Sequence, residues 1–391
     1  MKKILFILPA FTYGGTVFST LNMVSSLDSN DYDVKILAMT HQGPVKQSYP
    51  QNLLLSERLL LSALLGRVSK EKNIVKKMFF FMVKGICKIG DFCGYSVRDA
   101  IYEHEAKAIE KKYSFDYVAS CQEWDSTYFV SHFKKMKKIA WFRSEYRVYK
   151  KQLSPKQQEY ERKIYPLFHR IVCVSQTTKD DFISFFPTLS SNVVAIHNIQ
   201  NDRNIINMAN EKIEDGFDID VFNIVSVGRF APQKRFSSIP QIAASLKQRR
   251  LRFMWYIIGD GNMGKEFDKT MEKIKEYDVS DCVKCIGSRL NPYPYIKQAN
   301  LLVSTSYYEA CPRVVAEARI IHTPIISADY SSAREFVHDG ENGFVGTITE
   351  LDDLIGRFIL DKNFYSMIKK KCDDYVINNN VIYGYLKELF A

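Results

Sequence analysis

Short apolar runs alternate with amphipathic segments along most of the chain. In the first half these runs cover residues 3–9, 34–39, 115–121, 138–142, 170–175 and 192–196. The segments 16–27 and 177–186, which follow two of the runs, have the apolar spacing of helices. Runs of this length with helices between them predict buried parallel strands in a doubly wound α/β domain.

A second series of the same kind begins at residue 222. Its apolar runs cover 222–227, 253–258, 282–286, 299–303 and 324–327. Residues 199–221 are polar, rich in Asn and Asp and without periodicity, which is typical of a linker. A chain of 391 residues is also long for one core. We therefore predict one domain over 1–198, with a mostly helical insertion at about 57–113, and another over 222–365.

The stretch from Ser304 to Ala318 holds two carboxylates directly after the apolar run 299–303. Pro312 is typical of the first turn of a helix, so Glu309 should lie in a loop and Glu317 more than a turn into that helix. Ligands of open parallel sheets bind outside the carboxyl ends of the strands, beside helix N-termini that favour phosphate oxygens. An arbitrary pair of Glu residues is more often a pair of solvated charges, but the surrounding motifs favour a ligand site.

Five further motifs accompany this pair. They are Val227-Gly-Arg-Phe-Ala-Pro-Gln-Lys234, Ile257-Ile-Gly-Asp-Gly261, Ile286-Gly-Ser288, Thr323-Pro-Ile-Ile-Ser327 and Glu335-Phe-Val-His-Asp-Gly-Glu-Asn-Gly-Phe-Val345. Together with Glu309 and Glu317 they resemble retaining glycosyltransferases of family four, the group 1 glycosyl transferases, over about residues 222–346. The resemblance implies a GT-B fold, with two Rossmann-like domains facing a cleft. It also implies a C-terminal helix, here 366–391, that crosses back to the first domain.

The resemblance implies a role for each of these positions. Arg229, Lys234 and Glu309 correspond to the catalytic group, with the two cations on the donor diphosphate and Glu309 on the sugar hydroxyls. Glu317 corresponds to the residue that holds the ribose, segment 286–289 to the part that faces the base, and the amides at Gly14-Gly15 and after Glu309 to phosphate ligands. The full set of donor-binding positions that the resemblance implies is Gly14, Gly15, Gly228, Gly259, Gly261, Ile286, Arg289, Cys311, Pro312, Arg313, Val314 and Glu317.

Some positions depart from the family pattern. Glu309-Ala-Cys311 stands where Glu-Gly-Phe is commoner, and Arg313 replaces a frequent Asn, which leaves the sugar open. Trp141-Phe-Arg143 stands where many members have Trp-x-His. An arginine stays protonated at neutral pH but can clamp a phosphate or carboxylate. Because segment 134–163 carries eleven Lys or Arg against three Glu, we predict that Arg143 binds the acceptor.

The formal charge of +10 indicates an anionic partner. Segment 67–88 holds seven basic residues against one Glu, interleaved with Phe79-Phe-Phe-Met-Val83. This pattern fits a helix lying on an anionic membrane surface, and it fits an ordinary amphipathic helix packed on the sheet equally well. No stretch of eighteen apolar residues is present, and eight scattered cysteines suit a reducing compartment. We expect a cytoplasmic protein, peripheral on the inner face of the cell membrane, and no nucleic-acid partner.

Three other patterns are weaker. Gly259-Asp-Gly261-Asn-Met-Gly264-Lys265-Glu266 matches the dinucleotide fingerprint but follows the second strand of its domain, and it lacks the hydroxyl residue of a P-loop. Cys282 and Cys285 have CxxC spacing without a second ligand pair, so we expect them to be structural. The two Asp-x-Asp occurrences, at 31–33 and 218–220, fall in a predicted turn and in the linker. We therefore expect neither a metal nor another cofactor.

These expectations together describe a retaining, metal-independent hexosyltransferase. Its donor would be a nucleotide diphosphate sugar, by preference a UDP-sugar, and its acceptor a glycan, by preference a lipid-linked one, in surface polysaccharide or glycoconjugate synthesis. Two alternatives stay open on the sequence: a catalytically silent GT-B subunit that binds acceptor or stabilises a partner transferase, and a sugar-nucleotide epimerase of related fold.

Overall fold

A computed structural model describes residues 1–12, 14–213, 216–218, 220–260 and 264–391. The chain divides into two compact units. The first unit comprises Met1–Ile199 together with Asn380–Ala391, and the second comprises Gln200–Asn379. Each unit has its own hydrophobic core, as expected for two domains.

The described part of the first unit contains a six-stranded parallel sheet. Its strand order is β2-β1-β3-β4-β5-β6, so the direction of winding reverses between β1 and β3. The predicted runs match these strands to within a few residues. The strands are β1 Lys2–Leu8, β2 Tyr32–Ala38, β3 Tyr117–Ser120, β4 Lys137–Phe142, β5 Arg170–Cys173 and β6 Val193–Ala195.

Helices connect the strands and cover both faces of this sheet. A fully buried run from Ile4 to Leu8 gives β1 apolar side chains on each face, the pattern of a strand covered by helices on both sides. Segment 57–113 holds three helices in succession, α2 to α4. The helices of this part are α1 Gly15–Ser26, α2 Leu59–Leu65, α3 Ile74–Phe92, α4 Val97–Lys112, α5 Asp125–Ser131, α6 Tyr146–Tyr149, α7 Pro155–Ile164 and α8 Gln176–Phe185.

The second unit contains another six-stranded parallel sheet in its described residues. The strand order is β12-β11-β10-β7-β8-β9, which is the Rossmann order with its reversal between β7 and β10. Five strands match predicted runs, whereas β12 was not predicted as a strand. The strands are β7 Phe222–Val227, β8 Phe253–Ile258, β9 Val283–Gly287, β10 Leu301–Ser304, β11 Ile325–Ala328 and β12 Gly343–Gly346.

The expected linker 199–221 contains a helix, and from Gln200 onward it belongs to the second unit. This helix, α9, is capped by Asn201, whose side chain accepts from the Asn204 backbone N–H, and it buries Ile205 and Ala209. The helices are α9 Asp202–Ala209, α10 Ile239–Gln248, α11 Lys265–Glu276, α12 Tyr293–Gln298, α13 Arg313–Ile320, α14 Ala333–Phe336, α15 Leu351–Leu360 and α16 Lys362–Asp373.

The last helix, α17 Asn380–Leu389, belongs to the first unit. The return was expected from residue 366, but α16 buries Phe364 and Ile368 in the core of the second unit and the change of unit comes at Asn380. Phe390 then packs edge-on against Phe6 and Tyr117 of the first sheet, at 6.3 and 5.4 Å between ring centroids. None of the helices in the described ranges is long and apolar enough to cross a membrane.

Candidate active site

The predicted catalytic residues lie where the second sheet reverses its winding. Strands β7 and β10 are neighbours there, with Ile224 opposite Leu301 and Val225 opposite Leu302. The loops that leave their carboxyl ends separate in opposite directions, which is the position where open α/β sheets bind ligands. The β7 loop carries Arg229 and Lys234, and the β10 loop carries Glu309.

Lys234 and Glu309 form an ion pair across this reversal point. The Lys234 Nζ donates to Glu309 Oε1 at 2.6 Å, and the Ser306 hydroxyl donates to the same oxygen at 3.0 Å. Both charged side chains are mostly shielded from solvent, with 21% and 11% of their surfaces exposed. The structure thus brings together a cation and a carboxylate that are 75 positions apart in sequence.

Hydrogen bonds to backbone carbonyls also connect the two loops. The Thr305 hydroxyl donates to the Lys234 carbonyl at 2.8 Å, and the Tyr307 N–H donates to the Gln233 carbonyl at 2.8 Å. From another loop, the Ser332 hydroxyl donates to the Glu309 carbonyl at 2.5 Å. Because these bonds fix the main chain on either side, the ion pair has little freedom to move, which is what a preorganised site needs.

Two of the predicted glycines allow close approach at this point. A Cβ on Gly259 would lie 2.0 Å from the Gly228 carbonyl oxygen, and a Cβ on Gly228 would lie 3.0 Å from Lys234 Cε. Gly259 therefore lets the ends of β7 and β8 come together, and Gly228 leaves room for the stem of Lys234. Gly261, the third glycine predicted here, lies outside the described residues.

Glu317 lies in the fifth position of α13 and is paired separately from Glu309. Arg313 donates to Glu317 Oε1 at 2.8 Å, and the Tyr293 hydroxyl donates to the same oxygen at 3.2 Å. Burial lowers the pKa of Arg313, but the charge of Glu317 and the contact with Tyr293 outweigh it, so the pKa is raised. Pro312 is the N-cap of α13 rather than a first-turn residue. Cys311 and Val314, on either side of these positions, are partly buried.

Three further predicted residues of the second unit, Arg229, Ile286 and Arg289, lie in or just after β7 and β9. Arg229 is exposed directly after β7. Ile286 lies in β9, and Arg289 follows that strand, where its Nε donates to the Tyr295 hydroxyl at 2.9 Å. Since β8 separates β9 from β7, these two residues can line only the outer part of a ligand site centred on Lys234.

In the first unit, the two predicted glycines begin α1. Gly14 is the N-cap and Gly15 the first helical residue. Apart from the chain neighbours and the helix's own backbone, no heavy atom of the described residues lies within 4 Å of the place where a Gly14 Cβ would be, so crowding by other described parts of the unit does not explain the glycine. The open space is compatible with the predicted phosphate contact by the backbone, which remains a prediction.

Arg143 makes several bonds within the first unit. Its Nε donates to the Cys121 carbonyl at 2.6 Å, and one terminal nitrogen donates to Ser19 Oγ at 2.8 Å and to Asn198 Oδ1 at 2.7 Å. These partners follow β3, lie in α1 and follow β6, so one guanidinium connects three parts of the sheet edge. The sequence pattern predicted an acceptor clamp and gave no sign of this bonding role.

In the described residues, neither the cysteine pair nor the acidic side chains form a recognisable metal or thiol site. Cys282 is buried and Cys285 partly buried, and burial raises the pKa of each thiol to about 11. They therefore stay protonated and unreactive at neutral pH. Among the residues that the structure describes, no three His, Cys, Asp or Glu side chains are grouped so that they could hold a metal ion.

Sequence reasoning missed three polar side chains that complete the site: Ser306, Ser332 and Tyr293. Ser306 stands three positions before Glu309, a spacing at which a hydroxyl can reach a carboxylate in a tight loop, so it could have been proposed. Ser332 and Tyr293 reach the site from other loops, and nothing in their local sequence indicates it.

Comparison with known proteins is consistent with this arrangement. Residues 209–374 match the family described as "Glycosyl transferases group 1". Over 221 residues the chain is 26% identical to the amylovoran biosynthesis glycosyltransferase AmsD of Erwinia amylovora, an alignment covering 54% of this chain and 59% of the relative. The chain thus spans about six tenths of that relative's length.

A second relative and a solved structure extend the comparison. Over 193 residues the chain is 26% identical to the N-acetylgalactosamine-N,N'-diacetylbacillosaminyl-diphospho-undecaprenol 4-alpha-N-acetylgalactosaminyltransferase of Campylobacter jejuni, covering 49% of each. The crystal structure of Anabaena Alr3699/HepE in complex with UDP and glucose superposes with a TM-score of 0.69 at 14% identity, over 100% of this chain and 99% of that one. The protein therefore has the GT-B fold, and its residues 209–374 are similar to the glycosyl transferases group 1 family.

Proposed function

We propose that this protein transfers a hexose from a UDP-sugar to a glycan acceptor, with retention of anomeric configuration, in the synthesis of a surface polysaccharide or glycoconjugate. The observation that carries the proposal is the ion pair between Lys234 and Glu309 at the winding reversal of the second sheet. It puts a cation and a hydroxyl-binding carboxylate together where a parallel sheet binds ligands.

The cations suit the chemistry of the leaving group. Cleavage of the bond between a sugar and a nucleoside diphosphate places negative charge on the departing phosphate and positive charge on the anomeric carbon. Preorganised cations beside the diphosphate stabilise that transition state. Lys234, held in place by Glu309, and Arg229, exposed at the end of β7, are the residues proposed for this role.

The carboxylates suit the two sugars of such a donor. An ionised carboxylate accepts hydrogen bonds only, so it suits ligands that are rich in donors such as sugar hydroxyls. Glu309 already accepts from Lys234 and Ser306 through one oxygen, and its carboxylate is proposed to receive the hydroxyls of the transferred hexose. Glu317, oriented by Arg313 and Tyr293, is proposed to receive the ribose hydroxyls.

The acceptor is proposed to be a lipid-linked glycan at the inner face of the cell membrane. The name of the Campylobacter jejuni relative describes transfer to a sugar on diphospho-undecaprenol, and the Erwinia amylovora relative is named for amylovoran synthesis. Both names support a growing glycan as the acceptor class. Because Lys234 and Arg229 supply the positive charge that a metal would otherwise bring, turnover is expected to be unchanged after treatment with a chelator.

A donor screen tests the proposal. Purified protein is incubated with a panel of nucleotide sugars, and thermal stabilisation and slow release of free nucleotide are measured for each. A UDP-hexose should raise the Tm and be hydrolysed, and NMR of a transferred product should show the anomeric configuration of the donor. Stabilisation without turnover on any acceptor would favour the silent subunit, and conversion to a second sugar nucleotide would favour the epimerase.

A further inference from the structure

Helix α3 presents a long apolar stripe to solvent. Ile74, Val75, Met78, Phe81, Ile89 and Phe92 are all exposed, with 74% of Phe81 and 93% of Phe92 accessible. Successive helical residues turn by about 100°, so positions 74, 78, 81, 85, 89 and 92 lie along one side. Scattered apolar residues on a surface are ordinary, but a contiguous row of this length marks an interaction site.

The opposite side of α3 is fixed to the first unit. Phe80, Val83 and Gly90 are its buried residues, and it packs against α2 and α4. A Cβ on Gly90 would lie 2.4 Å from Val97 Cγ2, so α3 and α4 are in close contact there. The Lys76 Nζ also binds Glu57 at 2.7 Å, and the Lys84 Nζ donates to the Leu64 carbonyl at 3.1 Å. The stripe is therefore an outer face of an anchored helix.

Exposed cations accompany the stripe. Arg67, Lys70 and Lys72 precede α3, and Lys77 and Lys88 lie along one flank, all of them exposed. The two lysines already described as anchors are not needed for this count. Without those two lysines, the basic side chains over residues 67–95 number five and the acidic ones two, Glu71 and Asp91. The surface thus combines a broad apolar row with a surplus of positive charge.

We propose that the α3 stripe docks the protein on an anionic lipid bilayer, with the apolar row in the boundary between headgroups and acyl chains and the exposed lysines on acidic headgroups. This combination is that of an in-plane membrane helix. A second copy is the less suitable occupant, because two such faces would bring like charges together. The docking deepens the proposed function, since it locates the enzyme beside a lipid-borne acceptor, but it does not depend on any sugar chemistry.

Vesicle binding tests the charge component. With vesicles of phosphatidylglycerol and phosphatidylcholine the wild-type protein should co-sediment, and binding should weaken as salt rises or as phosphatidylglycerol is omitted. Lys77→Glu/Lys88→Glu should lower the affinity roughly thirtyfold or more. The matched control is Lys269→Glu/Lys275→Glu on α11, which makes the same charge change on exposed lysines of the second unit and should bind normally. Equal loss in both pairs would replace the docking surface with a general charge effect.

A second pair tests the apolar row. Phe81→Ser/Phe92→Ser should lower vesicle affinity by roughly a hundredfold, whereas Leu290→Ser/Val376→Ser, at apolar positions that are 95% and 82% exposed in the second unit, should not. Normal vesicle binding by the phenylalanine pair would overturn the proposal, and so would a wild-type dimer that this pair converts to monomer. Donor hydrolysis should be the same in all four variants. Absence of donor hydrolysis in the wild type would contradict the transferase proposal and would leave the docking proposal unaffected.

Discussion

The two parallel sheets each hold a cation at their carboxyl edge, but its partners differ. In the second unit Lys234 binds the Glu309 carboxylate, a charged group shared with Ser306. In the first unit Arg143 donates to a backbone carbonyl, a serine and an asparagine, and its own backbone N–H donates to the Glu123 carboxylate. The two cations thus lie at similar places in the fold but bond differently. Lys234 donates directly to a carboxylate, which suits ligand exchange, whereas the Arg143 guanidinium donates to oxygens from three segments, which suits the joining of loops.

The largest effect should come from replacing the two cations of the second unit, Lys234 and Arg229. Lys234→Ala and Arg229→Ala should each lower turnover about a hundredfold or more, by analogy with loss of a donor that stabilises developing negative charge. Steady-state transfer assays with the identified donor measure this. The control Lys269→Ala, at an exposed position of α11, should keep full activity. Near-normal turnover in both site variants would remove the two cations from the mechanism.

Carboxylates differ between the units as well, and this gives a pH prediction. Glu161 on α7 is fully buried and accepts from the hydroxyls of Tyr128, Tyr146 and Tyr149, at 3.2, 3.1 and 2.5 Å. Burial raises its pKa to about 7, although the three hydroxyls oppose the rise. The folded protein therefore holds this proton more tightly than the unfolded chain does, and the associated stability is lost as pH rises from about 4.5 to about 7.

Glu161→Gln should remove this pH dependence. As pH rises from about 4.5 to about 7, the wild type's free energy of unfolding should fall by roughly 3 kcal/mol relative to that of the variant. One pKa unit corresponds to about 1.4 kcal/mol. Urea unfolding at several pH values measures the difference. Glu159→Gln, an exposed position on the same helix, is the control. Parallel curves for Glu161→Gln and wild type would mean that Glu161 is ionised in the folded protein.

A smaller effect should distinguish the two readings of Arg143. If the guanidinium joins loops, both Arg143→Ala and Arg143→Lys should lower the free energy of unfolding by about 2 kcal/mol, since partly buried acceptors lose their donors and lysine lacks the fork. Arg162→Ala, exposed on α7, should be neutral. Unchanged stability together with a raised acceptor KM would instead assign Arg143 to the acceptor, as the sequence suggested.

The strand and loop pattern at the site could be predicted because it depends on local sequence. An apolar run followed by a loop and a proline places Glu309 before α13 and Glu317 within it. Strand β12 was missed because Gly343 and Gly346 occupy two of its four positions and glycine disfavours strands. Helix α9 was missed because its polar sequence gains helical stability from packing Ile205 and Ala209 against the second unit. The ion pair itself depends on tertiary contact between distant loops, which no local pattern encodes.

The return of the chain to the first unit has a consequence for biosynthesis. Phe390 is buried among Phe6, Tyr32, Tyr117 and Trp141, so the first sheet lacks part of its core until that residue has left the ribosome. At about 5 to 20 residues per second, the interval after Ile199 is roughly 10 to 40 s. During this time the second unit is synthesised, while the unit begun first must wait with an uncovered aromatic surface. Chaperone binding to nascent chains should therefore concentrate on the N-terminal half.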